Sequence, residues 1–435
     1  MKSASEMGRG VGSGPMASKK LLASKKLWAS ILTLVALPWV VACDNDSTLG
    51  YVYATSASAS AGVINAYNIN YQTGQLVALP DSPVPSGGRN PITLVPDPVN
   101  HIFLYVLNHD DSNVVQVGVG TDGKLYPDTT YNTTGSFPTA AAISPDDKFL
   151  YVTYTFQSCL AGTVEQNGGT NPNCVAPYAG FTTASPGPGG ITIYPINSDN
   201  SLGTPMDLPI GRYPTGIVTS ADNNYVYVVS QDSLATSTTT GQTGNLFAFA
   251  RNTATGALTP LAGSPINHTS GNQTSNGYPA GKLPGGVLED STSSHLYVTD
   301  FAGNMVYGYS IANGIPAQLG SAPTDAGPEG MALTPTGTYL YTANYTGGTI
   351  GGYSLNAGVP TPVSAGQSTQ AGTGTTCVSI EQQRGIYLYT SNALGNNVTG
   401  EQITSAGGLD PIINSPYGAS TLPTCIINMP RVTFR

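Results

Sequence analysis

The chain reads as an all-β protein, a seven-bladed β-propeller of four-stranded blades, and three observations predict it. A short strand built around a Tyr returns seven times, at Tyr53, Tyr105, Tyr151, Tyr227, Tyr297, Tyr341 and Tyr389. Each follows a Pro- or Gly-led apolar strand and a polar turn, and each unit holds four short strands bounded by Gly, Pro, Asn or Asp. The Tyr strands are apolar on both faces (Leu-Tyr-Val, Tyr-Val-Tyr, Leu-Tyr-Thr), as a sheet sandwiched between two others requires. Closing such units radially leaves only short edges unpaired. A solenoid or two packed sandwiches are the competing arrangements.

The elements follow in chain order. Lys2, Arg9, Lys19, Lys20, Lys25 and Lys26 face a single acid, Glu6, ahead of an apolar run from Leu27 to Ala42. The run is too short for a comfortable transmembrane helix and ends in Val40-Val41-Ala42-Cys43, which resembles a bacterial lipobox. Residues 1–42 are therefore expected to be a signal peptide, with Cys43 a diacylated N-terminus, 43–49 a tether and 50–435 the propeller. An uncleaved anchor or a plain secretory signal is the alternative, and Met16 is a second candidate start. Either way the body is exported, periplasmic or at the cell surface. Asp44 after the Cys resembles an inner-membrane retention signal, which leaves the choice of membrane open.

Within the body, Pro138 to Ser144 reads as an innermost strand, Pro145-Asp-Asp-Lys148 as a turn and Phe149 to Tyr154 as a Tyr strand. The remaining two strands show in Asn304 to Ile311 and Gln318 to Pro323, and turns such as Thr121-Asp-Gly-Lys124 supply the positive φ of tight hairpins. The chain enters on a Tyr strand, Gly50 to Thr55, and ends on Pro423-Thr-Cys-Ile-Ile-Asn428, which has the form of an innermost strand. The last strand is thus expected to complete the first blade.

Beyond the leader, nine of the 15 basic residues face 23 of the 24 acids, a net charge of −14, which argues against nucleic acid as a partner. Charged residues make up only 9% of the chain, so the surface of this exported protein is hydroxyl and amide in character. With Cys43 assigned to lipid, four Cys remain and allow three connectivities. Cys159 and Cys174 share one insertion, and Cys377 and Cys425 occupy the same position of successive repeats. Pairings 159–174 and 377–425 are favoured, with buried free thiols as the other reading.

The segments Leu296-Tyr-Val-Thr-Asp300, Asn65-Ala-Tyr-Asn-Ile69, Thr255-Gly-Ala-Leu-Thr-Pro260 and Gly263-Ser-Pro265 resemble the lactonase family of seven-bladed propellers, to which propeller-type 6-phosphogluconolactonase belongs, and the related YVTN surface-layer repeats. The resemblance spans about residues 50–430 and implies the scaffold. It also implies a GPRH-like segment and a His-rich blade entry handling a lactone carbonyl and a water. Here the first reads Gly327-Pro-Glu329-Gly330 and the other candidate entry Ser136-Phe-Pro-Thr139, so the family's Arg and His are missing.

In a propeller the loops entering innermost strands and those leaving Tyr strands share one face around the axis, where ligands bind. The long insertions, Phe156 to Gly189, Gln231 to Gly244 and Ile266 to Leu283, all fall there. Rim candidates are Arg89 and Arg212, equivalent in their repeats and suited to clamp a carboxylate or phosphate, with Lys282, Asp300, Asn344 and Asn392 as further ligand contacts. Glu329 is the candidate base, with His109 in reserve. Asn108-His-Asp-Asp-Ser-Asn113 offers a weak Ca²⁺ signal without defined spacing; no metal or redox cofactor is otherwise expected. The expected function is a monomeric binding scaffold for a small molecule, glycan or envelope protein, held to the membrane by its lipid. Lactone hydrolysis by a rearranged site is the alternative, and a passive adhesion module the third.

Overall fold

The computed structural model describes residues 47–157, 189–210, 213–231 and 244–431, apart from 263, 265, 270, 271, 276 and 364–367. It is a seven-bladed propeller of antiparallel four-stranded blades. From the axis outward, blade 2 runs Pro91–Pro96, Phe103–Asn108, Asn113–Val119 and Leu125–Asn132, and blade 6 runs Pro328–Leu333, Tyr339–Asn344, Thr349–Asn356 and Val359–Pro362. The other inner strands are Gly135–Ile143, Pro214–Thr219, Pro284–Glu289 and Thr375–Ile380 for blades 3, 4, 5 and 7. Blade 1 is completed from the far end of the chain: Pro423–Pro430 pairs with the Tyr strand Thr48–Ser56, with Gly50 opposite Pro430 and Thr55 opposite Cys425. Each inner strand contacts the next around the axis, and the circuit closes. The insertion after blade 4 adds a two-stranded ribbon, Ile266–Thr269 with Asn272–Ser275.

The repeated Tyr acquires a physical reason. Each Tyr strand is the second of its blade, buried between sheets, and in five of them the phenol donates to the turn joining the third and outer strands of the following blade. Tyr53 donates to Gly123 O at 2.8 Å, Tyr151 to Gly256 O at 3.0 Å, Tyr341 to Gly407 O at 2.9 Å and Tyr389 to Gly74 O at 2.6 Å. Tyr105 does the same to Asn200 O at 2.7 Å. Those glycines sit at positive φ against an aromatic ring of the preceding blade; a Cβ on Gly256 would meet Phe149 at 2.3 Å. The apolar core is accordingly a set of wedges between blades, such as Tyr341 and Ala343 packed on Val378 and Leu388.

At the axis each inner strand carries a bulge directly after its mouth-end Pro, or Thr375 in blade 7. The Tyr-strand ladder passes from Pro214 to Gly216 and from Thr375 to Cys377, skipping Thr215 and Thr376, and it skips Ile92, Thr139 and Thr424 likewise. A bulge re-aims the residue it frees. Thr139 donates to Pro214 O (2.6 Å), Thr215 to Pro284 O (2.8 Å) and Thr424 to Pro91 O (2.6 Å), each in the next blade. One residue further, neighbouring strands approach so closely that small residues are required: a Cβ on Gly330 would meet Thr376 O at 2.9 Å. In blades 7 and 1 this position holds Cys377 and Cys425, which form a disulfide with Cα atoms 4.9 Å apart.

Candidate functional site

The inner strands surround a channel of about 1000 Å³. Its wall is largely aliphatic and hydroxylic, with Ile217, Val287, Met331, Val378 and the bulged threonines. In blade 6 the bulge frees Glu329, since the ladder passes from Pro328 to Met331. A carboxyl thus stands where blades 1, 3, 4 and 7 present a Thr hydroxyl, at the end where inner strands begin. Its carboxyl oxygens form no hydrogen bond or ion pair within the described residues; only the Glu329 carbonyl is used, accepting from Thr299 at 2.8 Å. Burial lifts the Glu329 pKa to about 7, because the low-polarity wall disfavours the ionised form. Phe301 lines the same end and packs over Gly327, where a Cβ would meet its ring at 3.0 Å.

A repeated clamp builds this rim. The residue after a Tyr strand donates its N–H to the carbonyl of the residue preceding the inner strand of the same blade: His109 to Asn90 (3.0 Å), Gln231 to Tyr213 (2.9 Å), Phe301 to Leu283 (2.9 Å), Tyr345 to Gly327 (2.7 Å). On the entry side Phe137, Tyr213 and Leu422 are held at φ 58°, 48° and 51°. Bulky side chains in that left-handed region cost ~1–2 kcal/mol each and concentrate at functional sites.

The residues singled out from sequence separate into three groups. Glu329 lines the channel. Arg89 does not: its Nε donates to Asp111 Oδ1 and its N–H to Asp111 Oδ2, both at 2.7 Å, and Nη2 reaches Asp110 O at 3.0 Å. His109 lies beside it, Nδ1 2.7 Å from Asp110 Oδ1 and its ring stacked on Phe137 at 5.0 Å. The acidic stretch thus serves local pairing, and among the described residues no group of three or more His, Cys, Asp or Glu side chains is placed to hold a metal ion.

The second group corrects the reading of the Tyr-strand ends. Asp300, Asn344 and Asn392 are buried, and their side chains are taken up inside the blade rather than presented to a ligand. Asp300 accepts from the N–H of Lys282, Leu283 and Gly303 at 2.9, 2.9 and 3.0 Å; the Lys282 side chain points outward, exposed. Asn344 donates to Thr349 Oγ1, and Asn392 to Asn397 Oδ1 and Thr399 Oγ1. They staple entry loops and hairpins. The third group, Arg212, Cys43, Cys159 and Cys174, lies outside the described residues. The expected Arg89–Arg212–Glu329 cluster is therefore not assembled among the described residues, and Phe301, which the rim clamp places at the same end of the channel as the acid, was not anticipated.

Ring, bulges and mouth together define a seven-bladed propeller of lactonase-like fold. Solved structures share it: a candidate 6-phosphogluconolactonase from Bacteroides fragilis (18% identity, TM-score 0.64, covering 88% of this chain and 98% of that one) and another from Bacteroides uniformis (16%, 0.66, 88% and 100%). The periplasmic gluconolactonase of Pseudomonas aeruginosa is similar to the same extent (14%, 0.65, 88% and 99%). At these identities the likeness is one of fold. No protein-family model and no curated protein matches the chain.

Proposed function

We propose that the protein is an exported binding propeller that takes a small molecule at the mouth of its central channel, with Glu329 as the polar anchor and Phe301 as the apolar contact. The observation that carries the reading is a carboxyl without a partner among the described residues at the mouth of a channel of about 1000 Å³, with Phe301 lining the same end and a rim of bulky residues in strained backbone. Cys43 is proposed to carry the lipid that ties the body to a membrane. A thermal-shift screen of small metabolites and short glycans against the wild type, Glu329→Gln and Phe301→Ala tests the site. Hits that stabilise all three proteins equally would remove the mouth as the binding place. Cys43→Ser, followed by membrane fractionation, tests the anchor; undiminished membrane association would refute it.

One observation favours hydrolysis as a second reading: a carboxyl with a pKa of about 7 is poised to exchange a proton with a bound water near neutrality. The lactonases among the proteins of similar fold make a lactone panel the natural substrate set. Turnover abolished by Glu329→Gln supports this second reading, and no turnover above the uncatalysed rate excludes it for the panel.

A further inference from the structure

The class of ligand follows from the charge of the same mouth, an inference that rests on the binding reading above. Three ionisable side chains line the channel within the described residues, and all three are acids. Glu289 and Asp290 lie at the far end, where Asp290 is partnered by His295 Nδ1 at 2.8 Å. Among the described lining residues Glu329 is the one ionisable group at the mouth. No Lys, Arg or His lines the wall among the described residues: Arg89 is spent on Asp111, and Lys282, which holds the same repeat position in the adjoining blade 5, is exposed and is not part of the wall. The acid's surroundings are uncharged: Gly285 and Gly286 of blade 5, close enough that a Cβ on Gly285 would lie 3.2 Å from Glu329 Cα, then Phe301, Met331 and Thr376.

A carboxylate without a basic partner, sharing one end of a channel with a half-buried aromatic ring, is the combination that recognises an ammonium group through a charge pair and a cation–π contact. It is the wrong combination for an anion, which would enter a low-dielectric channel against like charge. We infer that the channel mouth selects a small organic cation, with its ammonium set between the Glu329 carboxylate and the face of Phe301, and that it turns away phosphorylated and carboxylated molecules. The body's excess of acids over bases acts in the same direction, raising the local concentration of cations.

Three isosteric probes test this: choline, its neutral analogue 3,3-dimethylbutan-1-ol and the anionic 3,3-dimethylbutanoate, each titrated calorimetrically into the full propeller at pH 8. Choline is expected to bind at least about tenfold more tightly than the alcohol, with no measurable binding of the carboxylate. Glu329→Gln should remove the preference for choline, and Phe301→Ala should weaken it about fivefold; circular dichroism checks that both variants are folded. If the alcohol or the carboxylate binds as well as choline and Phe301→Ala weakens it, the mouth is a binding site but the cation assignment is overturned. If choline binds with its preference intact in Glu329→Gln, the assignment is likewise overturned. If none of the probes binds, the cation inference falls, and the binding reading then stands or falls on the metabolite screen alone.

Discussion

Removing the bridge between Cys377 and Cys425 tests how the ring is held shut. The two residues are 48 apart in sequence and lie on the inner strands of blades 7 and 1, so the bond closes a loop across the seam where the chain's end meets its beginning. In the chain-entropy account a loop of that length restricts the unfolded ensemble by about 4 kcal/mol. The contribution is several times that of one interblade phenol hydrogen bond, about 1 kcal/mol net. Alanine at both positions keeps the packing, since the equivalent place in other blades holds Gly216, Gly286 or Gly330. Equilibrium unfolding in urea of the Cys377→Ala/Cys425→Ala variant should show a midpoint lower by on the order of 1 M with the slope little changed. Adding reductant to the wild type should reproduce most of that loss, and adding it to the variant should add little. A variant that unfolds at the wild-type midpoint would refute the reasoning, leaving the paired strand and the phenol bonds to close the ring unaided.

Three further outcomes are expected. Burial raises the folded pKa of Glu289, Glu329 and Glu401 to about 7, and burial with the neighbouring Asp97 raises that of Asp147 to about 6. Each value lies above the unfolded one, so the native state binds the proton more tightly; the stability is complete below about pH 4 and is lost as pH rises through 6 to 7. The melting temperature should therefore fall between pH 5 and pH 8, and Glu289→Gln should flatten a step worth up to about 3 kcal/mol; a melting temperature that rises over this range contradicts the assignment. Tyr389→Phe removes a 2.6 Å bond to Gly74 O and should cost about 1 kcal/mol, whereas Tyr227→Phe, whose buried hydroxyl has no partner, should cost nothing, as read by urea midpoints; equal losses would sink the clasp argument. Gly256→Ala, at φ 72° with its Cβ driven into Phe149, should cost more than about 2 kcal/mol by the same measurement, and a neutral result would mean the turn has another conformation open to it.

What was legible in the sequence is what repeats. Tyr53 through Tyr389 mark a position that every blade buries and five blades use for the same phenol bond, so their spacing carries the architecture, and Cys377 and Cys425 inherit their proximity from it. The local turns were readable for the same reason, because Gly74, Gly123 and Gly256 answer to a single steric demand. The site was less legible because it depends on departures from the repeat. Asp300, Asn344 and Asn392 sit at the rim by sequence position, yet the strand end turns their side chains inward to meet loop amides and hydroxyls. Arg89 resembles a ligand contact until Asp111, 22 residues on, is seen to hold it. Glu329 was recognised as a departure from the family pattern. Its release into the channel, away from any basic partner among the described residues, depends on a bulge that nothing in the local residue order announces. Phe301 was missed because it follows a Tyr strand at a place where other blades carry His109, Gln231 or Ala393, with no common character.

The pairing of Gly50 with Pro430 has an orientational consequence. Inner strands start at the mouth and run away from it, and Tyr strands run back toward it, so Ser47 and Arg431 both leave the ring on its far side. The two ends of the described ring thus come together at the face opposite Glu329, and the mouth is bounded by interior loops of the chain alone.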